Sequence, residues 1–408
     1  MAAVGAWWRD DAWWAAQTTT DGPHAGKAWW GWGSVAELRA EVEAHAGGDA
    51  AGRLLRPPTV AEAATLLPAP RVGVDAMPPE LRRLCTAAPF ERLLHSRGRD
   101  MIDVIRNVRG CLGCAHDLVA YPETEAHVSA LLAACGSLRL AVVPFGGGSS
   151  VVGGVNAPSE ELGFAGSVAI DLARMDRVLE VDQASQCARV QGGVYGPALE
   201  AALKSSGLTL RYFPQSFEYS TFGGWIATRG GGHFATGPTH VDDLLQSVRV
   251  VSPAGATEGR QLPGSGAGPA EHRLYLGSEG VLGIVTEGWV RLRPRPAARA
   301  AATVLFAGRD ADDAFVRGAE AVRQMAQTGA QPANLRLVYG PELARSGGLA
   351  SEQRQSLGAG AVLLVGLEAP TGGPRSEAAV DAQLELLLSV AAGAGGAVVA
   401  QKPAARAA

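Results

Sequence analysis

The chain has 408 residues, of which 47% are hydrophobic and 19% charged, and its formal net charge is −4. This length allows two or three domains, and the composition is that of a globular protein rather than a disordered one. The isoelectric point near 6.1 argues against a nucleic-acid-binding protein, because such proteins need a basic surface. The sequence contains neither an apolar run typical of a transmembrane helix nor a recognisable secretory signal, so we expect a cytoplasmic protein.

The first hundred residues are rich in tryptophan and alanine. Residues 29–33 read Trp-Trp-Gly-Trp-Gly, and Ser34 could cap a helix that continues through Glu37 and Leu38. Because aromatic clusters are usually core or interface, we predict that the tryptophans pack this N-terminal lobe. Two proline-rich linkers follow, and residues 78–109 then read as helices with many arginines.

The five cysteines indicate a reducing compartment. Cys111 and Cys114 form the only close pair, whereas Cys85, Cys135 and Cys187 are isolated in the sequence. A structural zinc site would need a second ligand pair at a comparable spacing. We therefore predict that no metal is bound and that the cysteines are small buried hydrophobic residues.

From about residue 117 the pattern changes to alternating strands and helices. Residues 118–122 and 140–143 read as strands, and the helix between them should begin at Thr124. The next predicted elements are three strands and a helix, at residues 168–172, 178–182, 187–190 and 196–206.

The stretch at residues 142–154 reads Val-Val-Pro-Phe-Gly-Gly-Gly-Ser-Ser-Val-Val-Gly-Gly, which predicts a strand, a tight loop and a second strand. Consecutive glycines permit positive φ angles and close approach, and the N–H groups of such a loop can converge on a diphosphate. No lysine follows the glycines, as a nucleoside-triphosphate loop requires, and residues 151–155 are too poor in helix formers for a Rossmann loop. A glycine-rich hairpin without a ligand explains this stretch equally well when it is taken alone.

Two more stretches, at residues 214–232 and 276–287, also combine glycines with hydroxyl side chains beside apolar segments. Three such stretches within one α+β segment favour a long ligand that the backbone contacts at several points.

In this order and spacing, the three stretches resemble the PCMH-type FAD-binding domain of the vanillyl-alcohol oxidase and p-cresol methylhydroxylase superfamily. Within it, they are similar to the bacterial branch of alkyldihydroxyacetonephosphate synthases, which residues 29–33, 95–99 and 334–337 also resemble. The resemblance implies an α+β fold, in which a two-subdomain PCMH-type FAD-binding domain precedes a partial α/β cap, or substrate, domain. The implied divisions are a Trp/Arg-rich helical region, the FAD-binding domain and the partial cap domain, at residues 1–115, 116–297 and 298–408.

The resemblance also implies which residues hold FAD. The glycine loop would cradle the diphosphate, the second stretch would line the flavin, and the third would make main-chain contacts. The implied cofactor-binding residues are Pro144, Phe145, Gly146, Gly147, Gly148, Ser149, Ser150, Gln215, Ser216, Phe217, Glu218, Tyr219, Ser220, Thr221, Thr228, Arg229, Gly230, Gly231, Glu279, Gly280, Val281, Leu282, Gly283, Ile284 and Val285. Because residues 144–154 contain no histidine, the family's histidyl-flavin bond cannot form there, and we predict non-covalent FAD.

The chain departs from the family pattern at several positions. Ser149 replaces a usual threonine, Gln215 replaces a frequent aspartate, and Gly230 and Gly231 replace a common Ala-Ser pair. Residues 233–241 also differ from the family's sequence, which leaves the contacts made there open.

The implied cap domain begins near residue 304, with helices predicted at 311–327 and 377–392 and strands at 335–339 and 362–368. The family's catalytic tyrosine and histidine cluster have no counterpart in this sequence, so no catalytic residue is assigned, and we interpret the alanine-rich end as a truncation. Arg336 is the candidate for binding an anionic substrate group, although a surface salt bridge explains it equally well.

The resemblance implies an enzyme of ether lipid synthesis, which exchanges the acyl group of acyl-dihydroxyacetonephosphate for a long-chain alkyl group. The alternatives are an FAD-dependent dehydrogenase or oxidase of a 2-hydroxy acid and a truncated flavin-binding protein without activity, because the fold alone does not select the reaction. The expected partner is a small or lipid-like substrate, with no nucleic acid, and a homodimer stays open.

Overall fold

The structure, a computed structural model, describes residues 7–45, 55–234, 236–237, 239–261, 266–345 and 359–406. The strands are β1 (Cys85–Thr86), β2 (Leu118–Ala120), β3 (Leu140–Phe145), β4 (Gly166–Asp171), β5 (Val178–Asp182), β6 (Cys187–Gln191), β7 (Leu208–Thr209), β8 (Leu245–Ser252), β9 (Gly255–Glu258), β10 (Ile284–Arg291), β11 (Arg293–Pro294), β12 (Ala298–Ala307), β13 (Asn334–Tyr339), β14 (Gly360–Ala369) and β15 (Gly396–Arg406). The α-helices are α1 (Asp11–Ala15), α2 (Val35–His45), α3 (Val60–Ala64), α4 (Pro79–Arg82), α5 (Pro89–His95), α6 (Met101–Val108), α7 (Glu125–Ser137), α8 (Gly196–Lys204), α9 (Phe222–Thr228), α10 (Val241–Leu244), α11 (His272–Tyr275), α12 (Ala311–Ala326), α13 (Gly340–Arg345) and α14 (Pro374–Gly393). Within these ranges, no helix combines the length and the apolar character needed to cross a membrane.

The first of two compact units comprises Met1–Ala202, Ser216–Gly230 and Leu245–Arg291. It contains a four-stranded sheet in the order β1-β2-β4-β3, in which β2, β4 and β3 are parallel and β1 is antiparallel. Its second sheet has five antiparallel strands in the order β5-β6-β10-β8-β9. The α+β class expected from the sequence is therefore confirmed, and β3 leads directly into the glycine loop.

Helix caps explain why two of the predicted helices begin where they do. At the start of α2, the Glu37 N–H donates to Ser34 Oγ (3.2 Å), and the Ser34 N–H donates to Glu37 Oε2 (2.6 Å). At the start of α7, Thr124 accepts from the His127 N–H at 3.2 Å. Each cap satisfies backbone donors that lack a partner within the helix.

The N-terminal tryptophans form a core, as predicted. Trp13, Trp14, Trp29 and Trp30 are buried and pack with Phe90 and its neighbours in one hydrophobic cluster. This cluster fixes the N-terminal segment on the helices that follow it.

The prediction that the cysteines are buried is wrong for Cys111 and Cys114, whose residues are exposed. Leu112 takes the interior position in this loop, so its neighbours face water. Cys135 and Cys187 are buried as predicted, and all five cysteines of the chain are free thiols.

The second unit comprises Leu203–Gln215, Gly231–Leu244 and Leu292–Ala408. Its four-stranded antiparallel sheet has the order β13-β14-β12-β15, and residues of α12 and α14 share one hydrophobic core with it. The predicted cap helices and strands are all present. The alanine-rich end, which the sequence did not predict as a strand, forms β15 and pairs with β12. The predicted three-domain division remains a proposal.

Candidate functional site

The glycine loop and the second stretch are packed together within the first unit. A Cβ atom built on Gly146 would lie 2.3 Å from Thr221 Oγ1, and one on Gly147 would lie 1.8 Å from the Tyr219 carbonyl oxygen. No real Cβ atom tolerates the second distance from backbone, so position 147 admits only glycine unless the backbone shifts. The loop is therefore glycine-rich because another backbone segment lies against it.

The third stretch joins the other two. The Glu279 N–H donates to Ala227 O at 2.9 Å, and the Gly277 N–H donates to Ile226 O at 3.0 Å. Gly280 has φ +81°, and its Cβ would lie 3.0 Å from the Pro144 ring. The third stretch thus closes the end of α9 and contacts the start of the glycine loop.

The loop offers unused hydrogen-bond donors. In the part of the chain that the structure describes, the N–H groups of residues 146–153 donate to no other protein atom. Most of these residues are only partly exposed. A row of unused backbone donors on a loop suits the oxygens of a diphosphate.

The second strand predicted within this stretch, at residues 151–155, does not form. The chain bends there instead, Gly153 has φ +76°, and its carbonyl accepts from the Asn156 N–H at 3.1 Å. Without a partner strand, Val151 and Val152 remain exposed. Val281 and Leu282 of the third stretch are exposed as well. Exposed aliphatic side chains on adjoining loops are typical of ligand grooves.

Several hydroxyl groups predicted to face the cofactor already have partners in the protein. Ser220 Oγ donates to Ser216 O and accepts from Trp225 Nε1, both at 2.7 Å. Thr221 caps α9, and Thr228 Oγ1 donates to the Gly224 carbonyl at 2.9 Å. These hydroxyl groups therefore hold the second stretch in its conformation. A ligand could still bind to their remaining lone pairs and to the backbone of the stretch.

The remaining predicted residues differ in position. Arg229 is exposed and ends α9 in the left-handed conformation, with φ +52°. Gln215, Gly231 and Arg336 belong to the second unit. There, Arg336 is exposed on β13, and its Nη1 lies 3.2 Å from Nδ1 of His233. Because arginine only donates, His233 Nδ1 is the acceptor in this contact.

Behind the glycine loop lies a buried cluster that sequence reasoning missed. Asp171, the strand partner of Phe145, accepts at Oδ2 from Nε2 of His24 (2.7 Å) and Nε2 of His95 (2.8 Å). His95 Nδ1 lies 2.7 Å from the Glu91 carbonyl oxygen. Both nitrogens of His95 thus face oxygen acceptors, which favours a proton on each and a buried ion pair with Asp171.

The same three side chains place possible metal-ligating atoms within 4.8 Å of one another. His24, His95 and Asp171 are, however, in direct hydrogen-bond contact. Although burial alone raises the pKa of Asp171, the two histidines outweigh it and hold that pKa well below its usual range. No local sequence signal could have revealed the cluster, because its members come from three distant segments.

Comparisons with known proteins agree with this geometry. Residues 116–258 match a family described as an FAD binding domain. Alkyldihydroxyacetonephosphate synthase of Dictyostelium discoideum is 36% identical over 251 residues, which are 62% of this chain and 39% of that protein. Glycolate oxidase subunit GlcD of Bacillus subtilis is 33% identical over 197 residues, covering 48% of this chain and 41% of that protein.

A solved structure of an alkyldihydroxyacetonephosphate synthase shares the fold, with a TM-score of 0.72 at 24% identity. The similarity covers 94% of this chain and 76% of that structure. The matched region spans about two fifths of each of these two curated relatives. Residues 116–258 are therefore similar to an FAD binding domain, and alkyldihydroxyacetonephosphate synthases are among the proteins that the chain resembles.

Proposed function

We propose that the three stretches of the first unit bind FAD without a covalent bond. The observation that carries this assignment is the row of unused N–H donors at residues 146–153, held by glycines that pack against Tyr219 and Thr221. These donors would hold the diphosphate, and the main chain of residues 279–285 would contact the rest of the cofactor. The aliphatic groups of Val151 and Val281 would cover its apolar surfaces.

We further propose that the protein acts in the exchange of an acyl for a long-chain alkyl group on acyl-dihydroxyacetonephosphate. The relatives named alkyldihydroxyacetonephosphate synthase support this reaction. Bound flavin supplies an electron sink for the substrate carbon, so the protein has to bind and orient the substrate. Arg336 is suited to pair with the substrate phosphate, since its guanidinium is exposed and always charged.

The second candidate is FAD-dependent oxidation of a 2-hydroxy acid. Its support is the 33% identity to a glycolate oxidase subunit, over 48% of this chain. A carboxylate substrate could use the same Arg336, so this residue does not distinguish the two reactions.

The purified protein is expected to show flavin absorption bands, and acid precipitation should leave FAD in the supernatant. Reduction of the flavin by glycolate or lactate without oxygen would favour the second candidate. Formation of an alkyl ether from acyl-dihydroxyacetonephosphate and a long-chain alcohol, with no such reduction, would favour the first. Flavin that stays in the acid pellet would contradict non-covalent binding.

Arg336→Gln is expected to weaken binding of dihydroxyacetone phosphate by about 10- to 100-fold, because a charge-assisted hydrogen bond to phosphate is lost. The measurement is calorimetric titration of the FAD-loaded protein. Arg309→Gln is the matched control, since Arg309 is an exposed arginine of the same unit that pairs with Asp313. Equal affinities of the wild type and Arg336→Gln would remove Arg336 from the phosphate site.

A further inference from the structure

Lys27, near the N-terminus of the first unit, has an environment that the fold alone does not explain. Its ammonium group donates to Tyr195 Oη at 2.8 Å and lies 4.6 Å from the centre of the Tyr195 ring. Among the described residues, no carboxylate forms an ion pair with Lys27, and Tyr195 is its one hydrogen-bond acceptor. Two ammonium protons are therefore left without a protein acceptor.

The nearby carboxylate of Asp171 does not accept a hydrogen bond from Lys27 in this structure. Asp171 attracts Lys27 electrostatically, but its Oδ2 accepts from His24 and His95 and its Oδ1 from the Ala173 N–H. Burial lowers the pKa of Lys27 to about 8, although Asp171 opposes this effect. Lys27 is half-buried, and an anion beside its ammonium group would offset the cost of this partial desolvation.

Lys27 contacts the residues that support the glycine loop. Tyr195, which accepts its hydrogen bond, pairs through the backbone with Thr221, and Thr221 lies against Gly146. Asp171 is paired with Phe145, the residue before Gly146. Lys27 is thus connected through Tyr195 to Thr221, which lies against the first loop glycine.

The loop itself supplies no cation. Residues 142–154 contain neither lysine nor arginine, although the diphosphate of FAD carries two negative charges. Arg99, which packs beside the loop, is fully buried, and its guanidinium donates to the carbonyl groups of Gly31 and Gly98. Lys27, by contrast, has two N–H donors that no described protein atom accepts.

We propose that Lys27 supplies the positive charge that balances the FAD diphosphate at the glycine loop. This inference rests on the proposed FAD site, and it assigns to the N-terminal segment the role that a loop lysine has in nucleoside-triphosphate sites. Tyr195 holds the ammonium group in place, and the two remaining N–H donors face the anion.

The test is a fluorescence titration of the full-length protein, stripped of FAD, with FAD, ADP and riboflavin. Lys27→Gln is expected to lower the affinity for FAD and for ADP by about 10- to 100-fold, because a charged hydrogen bond to the diphosphate is lost. The affinity for riboflavin, which has no phosphate, should not change. Lys27→Arg should restore most of the affinity. Lys204→Gln, which removes the lysine at the end of α8, should match the wild type.

The pH profile separates a charge from a structural role. The ammonium group promotes binding only while it is protonated, so wild-type affinity for FAD should fall as pH rises above about 8. His24, Arg99, Asp171 and Tyr195 are the charged or titratable groups that face Lys27. His24 has its pKa lowered by burial and stays neutral above pH 7, so it cannot cause that fall. Lys27→Arg should bind FAD equally well from pH 7 to 9.

The outcomes are distinguishable. A wild type that binds no FAD or ADP would refute the proposed function itself. If the wild type binds both FAD and ADP, and Lys27→Gln binds them with the same affinity at low salt, the inference about Lys27 is overturned and the proposed FAD site is not. If Lys27→Gln loses as much affinity for riboflavin as for ADP, the inference is also overturned, because that pattern indicates a structural defect.

Discussion

Gly147→Ala is expected to lose tight FAD binding. The added Cβ would lie 1.8 Å from the Tyr219 carbonyl oxygen, and backbone atoms cannot rotate away as a side chain can. The loop or the Tyr219 segment must move, at a cost of about 1–3 kcal/mol for overpacking. Because the unused N–H donors belong to this loop, its displacement should lower the affinity for FAD by roughly 10-fold or more.

The measurement is a titration of the FAD-free protein, with urea unfolding of the same samples. Gly136→Ala is the matched control, since Gly136 lies inside α7 and its Cβ would meet nothing within 4 Å. Alanine in a helix is favoured over glycine by up to about 1 kcal/mol, so this control should bind FAD normally and be no less stable. Wild-type FAD affinity in Gly147→Ala would show that the loop does not hold the cofactor.

The sequence was informative wherever the signal is local. Thr124 caps α7 through a residue three positions later, and the glycines at 146 and 147 stand next to each other in the chain. The order of such stretches was enough to predict the α+β fold and FAD. The helix predicted at residues 196–206 is present as α8, although it ends two residues earlier, at Lys204.

The sequence failed where structure depends on distant partners. Residues 151–155 have the β-branched composition of a strand, but no strand pairs with them, so they form bends. The alanine-rich segment 396–406 shows the opposite case, because alanine has a low strand propensity and yet this segment forms β15. It does so because it can pair with the edge of β12. Tertiary pairing therefore decided both segments.

The buried cluster behind the loop illustrates the same limit. Asp171 reads as the end of an ordinary buried strand, and His24 stands in an unremarkable turn. Only the fold brings these residues and His95 together. A buried carboxylate is costly unless it is fully paired, so this cluster is where a single substitution should affect stability most.

Asp171→Asn is expected to lower the free energy of unfolding at pH 7 by about 3–5 kcal/mol, the usual cost of removing one partner of a buried ion pair. The carboxylate accepts three hydrogen bonds, from His24, His95 and the Ala173 N–H. An asparagine has one oxygen in place of two, and its amide hydrogens would face groups that also donate. His95 would then lack its counter-ion.

The difference between variant and wild type should shrink in acid. The pKa of Asp171 is depressed in the folded protein, so the carboxylate contributes stability above its unfolded pKa of about 3.9, and this contribution is lost as pH falls further. His24 acts at higher pH. Burial lowers its pKa, so below about pH 6.5 the unfolded chain takes up a proton that the folded chain does not, which also lowers wild-type stability.

Urea unfolding at pH 7, at about pH 5 and at about pH 2.5 measures both effects, because the histidine effect begins below about pH 6.5 and the carboxylate effect below about pH 3.9. Asp176→Asn is the control because Asp176 is an exposed carboxylate five residues later. This control should change the unfolding free energy by no more than about 0.5 kcal/mol. If Asp171→Asn were as stable as the control at pH 7, the cluster could not be a buried ion pair. Asp171 of β4 pairs with Phe145 of β3, and this pairing holds β3 in place before the glycine loop. If Asp171→Asn loses stability but keeps the wild-type affinity for FAD, the loop is positioned by Tyr219 and Thr221 alone.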